Sequence, residues 1–248
     1  MKKSIVLAVL CLCFANAVNA QERCRYKESD VDNNQVSEIT VLRSTGQPVS
    51  GIICDYYESG KLERETPYKD GKMEGISLSY HENGQLSWEI PYEDGRKEGI
   101  QKWYYETGQL RSETPYRYGK MEGIFRTYSE NGELSWETPY KDGKVEGVEK
   151  WYYPNGKIME EIPFKNDKRE GTGRVYSNNG ELKMEISYKN GRMEGYAQMY
   201  TETGRLFGKI LYKNDVPVSG ACENGRPFTN AELMNRQNEY EVLCEAQK

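Results

Sequence analysis

The 248 residues include 36% apolar and 29% charged side chains, a net charge of −5, twenty Tyr against five Phe, and a single His. That profile argues against a membrane-spanning chain and against a conventional Leu/Ile/Val core, while 12% aromatic content argues against disorder. It leaves no basic footprint for nucleic acid and little room for His-based catalysis or a multi-His metal site.

Lys2 and Lys3 precede an apolar run from Ile5 to Phe14. The run suits a signal-peptide core and is too short to span a bilayer. Val18-Asn19-Ala20 supplies a cleavage site after Ala20, with Ala15-Asn16-Ala17 as the near alternative. Neither Cys11 nor Cys13 follows a lipobox pattern. The expectation is a periplasmic or secreted protein with residues 1–20 removed. Removal takes away Lys2 and Lys3, so 32 basic residues face 39 acidic ones and the net charge becomes −7. Four cysteines remain, Cys24, Cys54, Cys222 and Cys244, an even count that in an exported chain reads as two disulfides. Of the three possible connectivities, the local one is expected, Cys24–Cys54 and Cys222–Cys244, one bond at each end.

Residues 21–51 read as an N-terminal cap. Glu38–Arg43 and Val49–Tyr57 flank Ser44-Thr45-Gly46-Gln47, which suggests a divergent first hairpin. From 52 to 220 the chain is one repeat. Tyr56, Tyr80, Tyr104, Tyr128, Tyr152, Tyr176 and Tyr200 recur at a spacing of 24, as do the glycines from Gly60 to Gly204. Leu62 and Tyr68 open two further series on the same spacing, and Glu-Gly closes most units, as at Glu74-Gly75. Seven units without an insertion indicate a repeat protein.

Each unit reads as two short antiparallel strands. Ile76, Leu78 and Tyr80 alternate with polar residues, then Leu86, Trp88, Ile90 and Tyr92 do the same, with Asn83-Gly84 and Asp94-Gly95 as turns. The fold class expected is all-β: an extended, twisted antiparallel sheet of tandem hairpins, about 14 strands and roughly 65–70 Å long. Pro67, Pro91, Pro115, Pro139 and Pro163 sit late in the second strand, where pairing must loosen at an edge or bulge. Residues 221–248 read as a C-terminal cap. Thr229-Asn230-Ala231-Glu232 is a capping box, and Leu233, Tyr240, Leu243 and Cys244 share a face of a helix expected over Asn230–Ala246.

No catalytic, cofactor-binding or metal-binding set is expected. His81 sits beside a turn, in a slot held elsewhere by Tyr105, Ser129 or Thr201, and has no second ligand. Glu74, Glu98, Glu122, Glu146, Glu170 and Glu194 would lie about 10 Å apart, too far to share an ion. They are expected to face water or pair with nearby Lys and Arg. The Tyr and Leu slots, filled in every unit, are assigned to the core. Aromatics in slots that vary are the partner-binding candidates. Trp88 and Trp136 stand where other units carry Arg64 or Ser112, and Trp103 and Trp151 where others carry Asp55 or Ser79. Tyr105, Phe125 and Tyr153 join them, since Trp and Tyr are enriched at hot spots. Trp103 and Trp151 are expected on neighbouring strands of alternate units, forming an aromatic face with Tyr105 and Tyr153.

The unit Tyr104-Tyr105-Glu106-Thr107-Gly108-Gln109-Leu110, continued by Pro115-Tyr116-Arg117-Tyr118-Gly119-Lys120-Met121-Glu122-Gly123, closely resembles the bacterial MORN-repeat variant. The resemblance covers about residues 51–220 and extends to the YwqK-like antitoxin family, many members of which lack a signal peptide. It implies a non-enzymatic protein-binding role, with a cognate protein toxin as partner. Export would place that toxin in the envelope, as a phospholipase or a cell-wall hydrolase. The alternative is a surface or membrane-associated scaffold of the kind that classical MORN arrays suggest. The acidic balance disfavours anionic lipid.

Overall fold

The computed structural model describes residues 24–34, 39–234 and 240–245. The signal segment expected over residues 1–20 lies outside the described residues. One 21-stranded sheet dominates. Seven hairpins follow one another, the first pairing Gly51–Tyr56 with Leu62–Lys69 and the last pairing the end of Arg192–Tyr200 with Leu206–Lys213. After each Asp-Gly or Asn-containing turn the chain returns for two paired residues, as in Lys72–Met73, before the next hairpin opens. These brief returns raise the strand count above the number expected from sequence. Asp94 and Gly95 both take positive φ, 49° and 78°, the geometry of the tight hairpin turns that Asp-Gly favours.

The prolines act where the sequence placed them. Ile100 pairs with Pro115 inside a hairpin, but between units the pairing covers only Ser112 with Thr127 and Glu113 with Arg126. The Pro115 carbonyl accepts from Glu122 N–H at 3.0 Å across the resulting bulge. Gly123 follows with φ 118° and Pro115 packed where a Cβ would stand. Glu-Gly therefore closes most units because the bulge needs a residue of positive φ with no side chain.

Three hydrogen bonds recur between successive units. The first corrects the expectation for the closing glutamates. Glu122 accepts from the turn amide of Asp142 at 2.7 Å, and Glu74, Glu98, Glu146, Glu170 and Glu194 do the same to the turn of the next unit. Each glutamate caps a turn amide 20 residues on, rather than pairing with Lys or Arg. Second, Tyr152 donates to Glu137 at 2.7 Å and Tyr176 to Glu161 at 2.8 Å, 15 residues back. Burial first, and then the bond to Glu161, pushes the Tyr176 phenol up to about 12, so it remains a donor at physiological pH. Third, Tyr57, Tyr105 and Tyr153 donate to the carbonyls of Tyr80, Tyr128 and Tyr176. His81 fills the same position, with Nε2 at 3.2 Å from the Tyr104 carbonyl. Where the slot holds Ser129, Ser177 or Thr201, the hydroxyl closes its own turn instead.

The alternation expected along each strand is present, but its burial is reversed in the first strand. Ile76 is 54% exposed, whereas Ser77 and Ser79 are buried. Cross-strand register explains this. Ser77 stands opposite Ile90 and Ile76 opposite Pro91, so the apolar residues of the two strands lie on opposite faces. Mid-array, the buried row consists largely of small or polar residues such as Ser77, Gln101, Thr114 and Thr138. The Tyr and Leu of the repeating slots are mostly half-buried rather than enclosed.

Cores form at the ends. Tyr26–Lys27 pairs in parallel with Ile53 and Cys54, and Cys24–Cys54 pins it there. The Ser44–Gln47 turn forms, but Ile39–Leu42 pairs as a strand with Val31–Asn34. Its return arm reaches only Val49, because Gly51–Tyr56 belongs to the first repeat. At the other end Met199, Phe207, Ile210, Cys222, Phe228, Leu233 and Cys244 form one cluster, closed by Cys222–Cys244. Both expected disulfides are present. The expected helix is described as two short segments, Asn230–Met234 and Tyr240–Glu245; residues 235–239 and 246 lie outside the described residues. The capping box is formed, with Glu232 N–H donating to Thr229 Oγ1 and Thr229 N–H to Glu232. Arg226, with help from Thr229, holds the Glu232 carboxyl at about 2.

Candidate binding surfaces

The sheet presents two unlike faces. On one, the two variable slots of the sequence merge into a single cross-strand row. Ser79 pairs with Trp88, Trp88 with Trp103, Trp103 with Ser112, Ser112 with Thr127, Thr127 with Trp136 and Trp136 with Trp151. Trp103 and Trp151 are therefore not on neighbouring strands. Four strand steps, roughly 19 Å, separate them. Each pairs with the tryptophan of the preceding hairpin, because the register brings the end of one unit against the start of the next. Trp136 and Trp151 stack at 4.8 Å, and Trp88 and Trp103 lie tilted at 6.2 Å. Phe125 sets its ring edge-to-face with Trp136 at 5.3 Å. Trp103 is the most open of the four tryptophans, at 38% exposure. Tyr105 and Tyr153 are inter-unit struts, so their hydroxyls are already engaged.

Next to this row Glu149 accepts from Thr138 Oγ1 at 3.0 Å and from Trp151 Nε1 at 3.4 Å. Glu160, opposite Trp151, has its carboxyl raised by burial; Arg169 opposes the shift and Glu149 adds to it. A raised carboxyl contributes its stability when protonated and loses it as pH rises through that value. Glu160→Gln is therefore expected to raise the melting temperature at neutral pH. The gain should vanish near pH 4, where the wild-type carboxyl is itself neutral. Melting curves across pH 4–8 check this, and a gain independent of pH would be contrary to it. Among the described residues no group of three or more His, Cys, Asp and Glu is placed to hold a metal ion.

The other face carries exposed apolar residues that alternation alone does not place on the surface. Ile76, Ile100, Ile124 and Val148 stand opposite Pro91, Pro115, Pro139 and Pro163, giving an apolar ridge repeated once per unit. The four are 54%, 49%, 40% and 42% exposed. Beside the ridge runs a charged ladder. Second strands contribute Glu89, Glu113, Glu137, Glu161 and Glu185; first strands contribute Lys102, Arg126, Lys150 and Arg174. Lys102 meets Glu89 at 2.8 Å, Arg126 meets Glu137 at 2.8 Å and Arg174 meets Glu185 at 3.0 Å. The ridge was hidden in the sequence because alternation marks which residues share a face, not which face is covered.

The family model described as MORN repeat variant matches seven segments, 50–70, 73–94, 97–118, 121–142, 145–166, 169–190 and 193–214. No curated protein matches the sequence. Two solved structures are similar at 12% identity over 77% of this chain: a TcdB2–TccC3–Cdc42 crystal structure, TM-score 0.19, and the Tc holotoxin pore of Photorhabdus luminescens, TM-score 0.22. This chain spans 12% of the length of each, and likeness at that level carries no argument. The seven matched segments fall on the seven hairpins and cover more than half of the sequence, and the chain belongs to the MORN repeat variant family.

Proposed function

We propose that the array is a non-enzymatic binding scaffold that acts as an exported immunity protein, occluding a toxin of the bacterial envelope. The observation that supports this most is the exposed ridge of Ile76, Ile100, Ile124 and Val148. Contiguous exposed apolar surface on a monomer marks an interaction site. Here it is rimmed by a charged ladder, the arrangement of an apolar interface centre with a polar border. The strands are held by inter-unit hydrogen bonds, so the surface is preformed and the ordering cost of binding is low. The −7 charge left after export favours a basic partner and fast encounter. The two disulfides fit an oxidising compartment. Export, rather than the family resemblance, gives the toxin class: an envelope toxin attacks lipid or peptidoglycan, as a phospholipase or a cell-wall hydrolase does.

The test is co-expression with a toxin encoded beside this chain. The wild type should neutralise it. Ile100→Asp with Ile124→Asp should abolish protection with an unchanged melting temperature, and the pair should weaken the complex by roughly a hundredfold or more. Unimpaired protection by that variant would remove the ridge from the interface. Strong capture by lipid vesicles with no protein partner would replace the reading with a membrane scaffold.

A further inference from the structure

Mid-array, the tryptophan face contains an open pocket of about 500 Å³, within the range of about 300–1,000 Å³ usual for small-ligand sites. It exists because the row breaks its pattern there. Ser112 and Thr127, side by side, separate the Trp88–Trp103 pair from the Trp136–Trp151 pair, so two small residues lie between aromatic walls. Trp103 and Phe125 form walls, Tyr105 a third side, and Ser112, Thr127 and Ser135 bring hydroxyls. The Thr127 and Ser135 hydroxyls bond each other at 3.1 Å, whereas Ser112 Oγ has no partner among the described residues. Arg111 is exposed at the rim, with its guanidinium 5.7 Å from the Tyr105 ring centre and no ion pair among the described residues.

We infer that this pocket binds a saccharide unit bearing an acidic group, with the pyranose ring on Trp103 and the acidic group on Arg111. An aromatic face is electron-rich and receives the C–H-lined face of a sugar ring. A sugar hydroxyl matches the Ser112 hydroxyl, which a purely apolar ligand would leave without a partner, while Thr127 and Ser135 already bond each other. A cationic ligand would meet Arg111, and although the chain is acidic, no carboxylate lines the pocket. A guanidinium without a carboxylate partner suits an anionic substituent. Nothing in the repeat requires this composition, since other units fill the same row with Asp55, Arg64, Glu160 or Met184. The inference goes beyond the immunity reading and uses the opposite face of the sheet, so the two stand or fall separately.

Isothermal titration of the purified mature protein with tri-galacturonic acid and with the neutral cellotriose tests it. The acidic trisaccharide should bind more tightly than the neutral one. Trp103→Ala should weaken both by about tenfold or more, and Trp103→Phe should retain most of the binding. Arg111→Gln should cost the acidic ligand about tenfold or more and leave the neutral one unchanged. Ile100→Asp with Ile124→Asp should leave both unaffected. Melting temperatures close to wild type establish that the variants are folded. Absence of binding to either sugar, or binding indifferent to Trp103→Ala, would overturn the site. Binding indifferent to Arg111→Gln would overturn the acidic specificity.

Discussion

Removing Cys222–Cys244 is expected to lower stability by about 2–4 kcal/mol and to do so from one end. The bond closes a separation of 22 residues and sits in the cluster of Met199, Phe207, Ile210, Phe228 and Leu233. In a repeat array each unit touches mainly its neighbours, so loss of an end cap propagates inward from that end. Cys222→Ala with Cys244→Ala should therefore speed amide hydrogen exchange in Arg192–Cys222 and leave the hairpins of 99–165 at wild-type protection. Removing Cys24–Cys54 should produce the mirror result at Gly51–Lys69. A uniform loss of protection along the whole sheet would mean that the caps do not act locally.

Gly147→Ala is expected to cost about 2 kcal/mol or more. Gly147 has φ 121°, where an L side chain is strained by about 1–3 kcal/mol. A Cβ there would stand 3.0 Å from Cγ of Pro139, which adds a clash. The two terms are separable. Pro139→Ala in the same chain should relieve the clash but not the backbone strain, so in a double-mutant cycle followed by chemical unfolding the double variant should be less destabilised than the sum of the two single variants. No effect of Gly147→Ala would show that the bulge relaxes freely and that Glu-Gly closure is not a backbone requirement.

Much of the fold was legible because its signals are local. Asp94-Gly95 and Asn83-Gly84 mark turns within a few residues, and the 24-residue spacing fixes the hairpins. What escaped is what register creates. The Glu122–Asp142 and Tyr152–Glu137 bonds join residues 20 and 15 apart, across unit boundaries that the repeat pattern treats as interchangeable. The slots of Trp88 and Trp103 looked separate in sequence, yet pairing makes them one row. Ile76 and Ile90 both follow alternation, but Ile76 is exposed and Ile90 buried, because Ile76 pairs with Pro91 on one face while Ile90 pairs with Ser77 on the other. In a two-layer protein the apolar face finds a cover. Among the described residues no second layer covers the sheet mid-array, which is why the Tyr and Leu slots assigned to the core are mostly half-buried.

The central claim is that the partner binds the isoleucine ridge. It is tested most directly by titrating an isoleucine-methyl-labelled, indole-labelled sample with the neighbouring toxin and following both sets of NMR signals. The methyls of Ile76, Ile100 and Ile124 should shift or broaden with saturation at one equivalent, while the indole of Trp103 and the methyls of buried Ile90 and Ile162 stay in place. Shifts confined to the indoles, with the ridge methyls unmoved, would put the partner on the tryptophan face and contradict it.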